Sequence, residues 1–333
     1  MLGLSEALER LASPFAREEL SPLGGAPLLA VDLGRDAGRP ASWLAAREML
    51  ARLPCPSAAI RAAAPSALAR RLEPAFDVLV ESADELEPLR RAVTAAPLAS
   101  AALVELLRHA EHLDAQAGLL AESWVYSLLQ SGPEFAAWLA ARPRPAPAPA
   151  ADGPAVLCRR EGDALWLTLN RPARHNAYSA GMRDELLEGL RVAAADPSIR
   201  EVRLSGAGDS FCSGGELSEF GSLPDPATAH AVRQARSAAR LLAACSHRVR
   251  ADVHGACIGA GVELAAFAGR VCARPNAFFC LPEVGMGLVP GAGGTVSIPR
   301  RIGRQRTAWL ALSGERIDAA LAWRWGLVDE LSV

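Results

Sequence analysis

Residues 255–294 read GACIGAGVELAAFAGRVCARPNAFFCLPEVGMGLVPGAGG. Two glutamates, Glu263 and Glu283, sit in this stretch among glycines and apolar residues, with no lysine or arginine within five positions of either. An ionised carboxylate loses its hydration in such surroundings, so it rarely stands there without a compensating role. HGACIGAGVELAAF predicts a strand running into Gly259-Ala260-Gly261 and then a helix, with Glu263 in the first turn. The free N–H groups and the dipole of that turn favour negative charge. Glu283 follows a proline and precedes a loop holding Gly285, Gly287, Pro290, Gly291, Gly293 and Gly294.

A second glycine turn lies upstream in DSFCSGGELSEF, 209–220, where a strand ends near Ser205 and Gly214-Gly215 follows. Successive glycines let backbone N–H groups point into a cavity. Taken singly, these segments read as an ordinary strand-to-helix turn, a helix-capping carboxylate and a solvent-facing loop. Together they supply two backbone-donor turns and two carboxylates, which suits stabilising an oxyanion and moving protons. The spacing of the acids, 283 − 263 = 20 residues, fits a helix followed by a strand or loop returning toward its start.

The surrounding pattern alternates strand and helix, which implies parallel βαβ units. DALWLTLN, IREVRLSG and VRADVHG predict strands. AGMRDELLEGLRVAAAD predicts an amphipathic helix with Met182, Leu186, Leu187, Leu190 and Ala194 on one face. DPATAHAVRQARSAARLLAACS predicts one long helix. The helix expected after Glu216 is interrupted by Gly221, Pro224 and Pro226, and mobility is expected there. Upstream, PLLAVDLG, SAAIRAA and FDVLVES predict strands, ASWLAAREMLARL a helix, and residues 83–142 a helical region. ARPRPAPAPAADGPA, 141–155, alternates proline and alanine and predicts an extended linker. The expected division is therefore 1–142, a linker at 143–155, and 156–333.

Composition narrows the function classes. Half the 333 residues are hydrophobic and 22% are charged, as in globular chains with a sizeable core. A net charge of −2 gives no argument for nucleic acid or anionic membrane as partner. All 35 basic residues are arginine, which excludes a Schiff-base or phosphate-loop lysine. Seven cysteines without CxxC spacing suggest free thiols in a reducing compartment. The N-terminal residues carry charge throughout, and no apolar run reaches membrane-spanning length. A cytoplasmic location is expected. His109 and His112 lie three apart without further ligands, so no metal is expected. Cys212 and Cys257 have no local base and are not expected as nucleophiles. His254 is expected in the core, and Trp124, Tyr126 and Trp138 are expected to pack helices.

The pieces TLNRPARHNAYS, SFCSGGEL, HGACIGAGVELA, LPEVGMGLVPGAGG and LSGERIDAALAWRWGLVDE occur in the order found in the crotonase superfamily, the enoyl-CoA hydratase/isomerase family, which residues 156–333 resemble. The resemblance implies an α/β fold with a crotonase-like spiral of ββα units in the C-terminal part. The N-terminal domain would run from α/β to helical. It also implies a homotrimer or dimer of trimers, an acyl-CoA thioester substrate, and no cofactor beyond the coenzyme A that the substrate carries. By the same resemblance Glu263 and Glu283 are the catalytic acids. The N–H groups of Gly215 and Ala260 form the oxyanion hole, with Ala260 replacing a commoner glycine. Gly291 helps position water, and Arg174 and Ser213 contact coenzyme A. Gly269-Arg270 departs from the family, where an aspartate is common. Retention of both acids favours hydration of a 2-enoyl-CoA, or its reverse, in fatty acid or aromatic catabolism. The alternatives are an isomerase or C–C hydrolase on a ring-derived acyl-CoA, and a non-catalytic CoA-binding partner subunit.

Family members usually continue with several helices beyond the point matching Val333. AESWVYSLLQSGPEFAAWLAARP, 121–143, is similar to those closing helices, and residues 50–82 resemble the core segment with its glycine turn and acid replaced. Residues 1–142 are therefore read either as a degenerate crotonase-like half, whose helices stand in for the missing ones, or as an unrelated α/β domain.

Overall fold

The computed structural model describes residues 1–35, 43–142 and 153–332. Most of the expected linker, residues 143–152, lies outside the described residues. The chain opens with a parallel sheet of four strands in sequential order, β1 (Leu2–Gly3), β2 (Leu29–Asp32), β3 (Ser57–Ile60) and β4 (Val78–Val80). Its alternate side chains feed two cores, as the two-residue period of a strand requires. Leu29, Val31 and Ala59 face helices of the first 72 residues, including Leu4, Leu50 and Leu72. Ala58, Ile60, Val78 and Val80 face the other way, into a core that continues through both parts of the chain. The helical region predicted over 83–142 consists of Ala83–Ala95, Pro97–Ala110, Ala115–Gln130 and Pro133–Ala140.

The C-terminal part runs β5 (Val156–Glu161), β6 (Ala164–Leu169), β7 (Glu201–Gly206), β8 (Val249–Val253), β9 (Ala256–Ile258), β10 (Arg270–Ala273), β11 (Phe278–Cys280), β12 (Ile317–Asp318) and β13 (Glu330–Leu331). Six form one sheet in the order β13-β10-β8-β7-β6-β5, and β12-β11-β9 form a second. The units β8-β9-helix 260–265 and β10-β11-helix 294–313 are successive ββα turns of the spiral. Two pairings depart from the parallel expectation: β5–β6 is an antiparallel hairpin, and β11–β12 is antiparallel.

Two helix readings need correction. In the helix Ala180–Ala195 the apolar stripe closes on buried Ala193, while Ala194 is exposed. Met182 to Ala193 is 11 residues, close to three turns of 3.6, so position 193 returns to the starting face. The single helix predicted over 225–246 is two helices, Pro226–Ala235 and Ala238–Cys245. Ser237 breaks it: its hydroxyl accepts from the Arg240 N–H and caps the second helix. After Glu216 the chain forms only the short turn Leu217–Glu219 before Asp225 caps the next helix.

The two parts are joined by charge as well as by apolar packing. Asp77, 1% exposed, meets Arg108 at 2.5 Å and Arg304 of helix 294–313 at 2.8 Å. It also accepts from the Ser57 N–H and hydroxyl, both at 2.8 Å.

Candidate active site

The two glycine turns are brought side by side by a short parallel pairing of Cys212 with Cys257. Cys212 N–H donates to Ala256 O, and Ile258 N–H donates to Cys212 O, each at 3.0 Å. Gly215 and Ala260 lie the same three residues beyond the paired cysteines, so register sets the two next to one cavity. Neither N–H has a protein acceptor among the described residues. Gly259 has φ +49°. A side chain there would also run into the Glu283 carboxylate, so this turn requires glycine. The thiols beside the turns are packing groups: burial pushes Cys212 up to about 12 and Cys257 well above the ordinary thiol range.

Glu263 and Glu283 both line this cavity of about 210 Å³. Glu263 is 2% exposed, and its Oε2 accepts from the Ala292 N–H at 2.7 Å and the Gly294 N–H at 2.8 Å. Burial raises its pKa well above the ordinary carboxylate value, and the charges of Glu283 and Glu122 raise it further. Glu283 Oε2 is buried without a hydrogen-bond partner among the described residues. Burial first, and then the Glu122 charge, push this carboxyl up to about 8.

A third carboxylate completes the group, and the sequence reading passed over it. Glu122, on the helix Ala115–Gln130, is 2% exposed and lines the same cavity. Its Oε1 accepts from the Gly293 N–H at 2.8 Å. Its Oε2 accepts from the Thr295 N–H at 3.0 Å and the Thr295 hydroxyl at 2.7 Å. Burial raises its pKa to about 7 against those hydrogen bonds and the charge of Arg233. The signal was present: residues 117–127 read AGLLAESWVYS, again a glutamate with no lysine or arginine within five positions.

The other expected residues divide between this cavity and its neighbour. Gly291 lines the first, pressed against the Tyr126 ring so closely that a Cβ would collide with it. Tyr126 therefore belongs to the cavity wall as well as to helix packing. Arg174 and Ser213 line an adjoining cavity of about 430 Å³, which shares Gly215, Phe220 and Glu283 with the first. There Arg174 pairs with Glu216 at 2.7 Å, and Arg142, from the end of the N-terminal part, joins the wall. Trp138 stacks on Phe135 and meets Phe220 at a tilt, whereas Trp124 is 58% exposed. His254 is buried against Gly208 O at 2.8 Å. No cluster of three metal-ligating side chains occurs among the described residues, and no helix there is long and apolar enough to cross a membrane.

The arrangement joins buried carboxyls of raised pKa to two unpaired N–H groups, and comparison with known proteins agrees with it. The family model described as enoyl-CoA hydratase/isomerase matches residues 160–332. The chain is 37% identical to the 2,3-dehydroadipyl-CoA hydratase of Escherichia coli over 176 residues, 53% of this chain and 68% of that protein. It is 35% identical to the 1,2-epoxyphenylacetyl-CoA isomerase of the same organism over 178 residues, 52% of this chain and 68% of that protein. Among solved structures, the enoyl-CoA hydratase of Thermoplasma volcanium superposes with a TM-score of 0.50 at 32% identity, covering 54% of this chain and 72% of that one. The chain thus belongs, through its C-terminal half, to the enoyl-CoA hydratase/isomerase family.

Proposed function

We propose that the protein hydrates a 2-enoyl-CoA, or catalyses the reverse dehydration, with Glu263 and Glu283 as its acid–base pair. The observation that carries this reading is the convergence of both carboxyls and the unpaired Gly215 and Ala260 N–H groups on one cavity. In this scheme one water stands between the two acids. One carboxylate takes its proton as the water oxygen bonds to Cβ, and the other carboxyl delivers a proton to Cα. An acid and a base must coexist; burial raises both carboxyls, and the Glu283 charge adds to the rise at Glu263. The electron pair of the double bond moves toward the thioester oxygen, where Gly215 and Ala260 donate. One such donor lowers a barrier by about 3 kcal/mol. Gly291 is assigned to the water side, and Arg174 and Ser213 to coenzyme A.

The relatives named as hydratases support this chemistry. The relative named as an isomerase acts on a ring-derived acyl-CoA and defines the competing outcome. The helices Ala115–Gln130 and Pro133–Ala140 are assigned the covering role of the family's closing helices, because the first walls the cavity with Glu122 and Tyr126 and the second lines a neighbouring cavity with Phe135 and Leu139. A homotrimer is the assembly the family suggests.

The test is loss of the enoyl-thioester absorbance of crotonyl-CoA with the wild type, E263Q and E283Q. Turnover by the wild type and a large loss in both variants is the expected result. Wild-type activity that survives either substitution overturns the paired-acid scheme.

A further inference from the structure

The cavity that holds the carboxylates is also lined by arginine. Arg183, Arg233, Arg236 and Arg240 line it, the last three flanking the break at Ser237. Asp184 pairs with Arg183 at 2.8 Å and also with Arg236. Arg233 and Arg240 have no carboxylate within ion-pair distance among the described residues. Arg233 gives its N–H groups to neutral acceptors: Ser123 Oγ at 3.1 Å, Ser123 O at 3.3 Å, Gln130 Oε1 at 3.1 Å, and Ser127 Oγ. Its guanidinium lies 4.6 Å from the Tyr126 ring centre. Arg240 reaches Gln116 Oε1 at 2.8 Å and Gln234 Oε1, while its Nε is buried without a partner among the described residues. Glu122 senses the Arg233 charge, but its own oxygens are committed to Gly293 and Thr295.

Arg183 and Arg236 thus share Asp184, whereas Arg233 and Arg240 meet only neutral hydrogen-bond acceptors among the described residues, with Glu122, Glu263 and Glu283 lining the same cavity. Half-buried cations without a counter-ion are costly to desolvate, and a ligand anion offsets that cost through paired N–H···O bonds. The adjoining cavity with Arg174 shares Gly215 and Glu283 with the first, and neither Arg233 nor Arg240 lines it. An acyl chain whose thioester sits at Gly215 and Ala260 therefore extends from the acids toward Arg233 and Arg240. We propose that the preferred acyl group ends in a carboxylate, held by Arg233 and Arg240. This rests on the acyl-CoA reading above and adds a substrate class to it.

The experiment is calorimetric titration of the full chain with two saturated six-carbon acyl-CoA thioesters, one ending in methyl and one in carboxylate. The carboxylate-ended ligand is expected to bind about tenfold tighter or more. R233Q and R240Q should each bring that preference down to about threefold or less, with R233K retaining more of it than R233Q. Equal affinity of the wild type for the two ligands overturns the proposal, whatever the variants do. Equal loss of both ligands in the variants also overturns it and assigns the arginines to the phosphates of coenzyme A. Turnover of the matching 2-enoyl thioesters is read separately. A binding preference without hydration of either rejects the hydratase reading and keeps the carboxylate pocket. Hydration of both with equal binding does the reverse.

Discussion

Glu122 and Glu263 hold alternate N–H groups of one helix start. Ala292 and Gly294 donate to Glu263, and Gly293 and Thr295 donate to Glu122. Three donors that a helix N-terminus leaves without intrahelical partners, with the Ala292 N–H just before them, are thus satisfied by two side chains, one from each part of the protein. The helix dipole partly offsets the negative charge gathered there. Glu122 thereby fixes the loop that fixes Glu263, which makes it a positioning residue for the proposed acid–base pair.

Removing that brace should cost both order and rate. E122A leaves two buried N–H groups and the Thr295 hydroxyl without their acceptor, at about 1–3 kcal/mol for each group left unpaired. A misplaced Glu263 should lower kcat by about 10²-fold. E122Q keeps part of the cap but removes the charge that raises Glu263 and Glu283. Its pH–rate profile should move to lower pH, a shift that a purely structural role would not produce.

Replacing either proposed catalytic acid separates chemistry from binding. E263Q and E283Q should each lower kcat on crotonyl-CoA by about 10²–10⁴-fold. Affinity for a saturated acyl-CoA should change far less. Steady-state kinetics beside calorimetry measures both quantities.

Stability should fall as pH rises through the neutral range. Glu122 and Glu283 move from an ordinary 4.5 to about 7 and about 8 on folding, and Glu263 also rises. The folded state therefore binds more protons than the unfolded state across that window. The contribution is complete below about pH 4.5 and is lost as pH climbs through the folded values. Glu216 and Asp225 shift downward and titrate below the window. Urea midpoints at about pH 5 and about pH 8 should differ in that direction, and less so in E283Q.

Asp77 ties the N-terminal sheet to helix 294–313, so its loss should be felt far from the cavity. D77A removes the carboxylate shared by Arg108 and Arg304, whose side chains are 10% and 8% exposed; Arg304 keeps Glu111 at 3.2 Å, and Arg108 loses its ion pair. Breaking a buried ion pair by deleting one partner costs about 3–5 kcal/mol. Urea denaturation should show a destabilisation of that size.

Gly291 tests the contact between the loop and the N-terminal helix. In G291A the new methyl group meets the Tyr126 ring, which in turn supports Arg233. The variant should lose activity through displacement of the wall rather than of either acid. Tyr126→Ala in the same background should restore part of it, measured as kcat/KM.

What the sequence by itself determined was local in origin. The glycine turns, the helix beginning at Ala260, the strand alternation and the family membership all follow from residues within a few positions of one another. The length of the helix through 225–246 was misjudged, because Ser237 offers its hydroxyl as a cap and so competes with helix continuation. Position 194 was misjudged because the stripe drifts with the 3.6-residue turn. Only the tertiary structure decided that Glu122 joins the two expected acids and that Arg233 and Arg240 line the same cavity. Glu122 and Gly293 are 171 residues apart, and no local rule pairs them. That pairing is made by the shared core, which lays the helices of the N-terminal part against the cavity and commits a buried carboxylate to the nearest unpaired N–H groups.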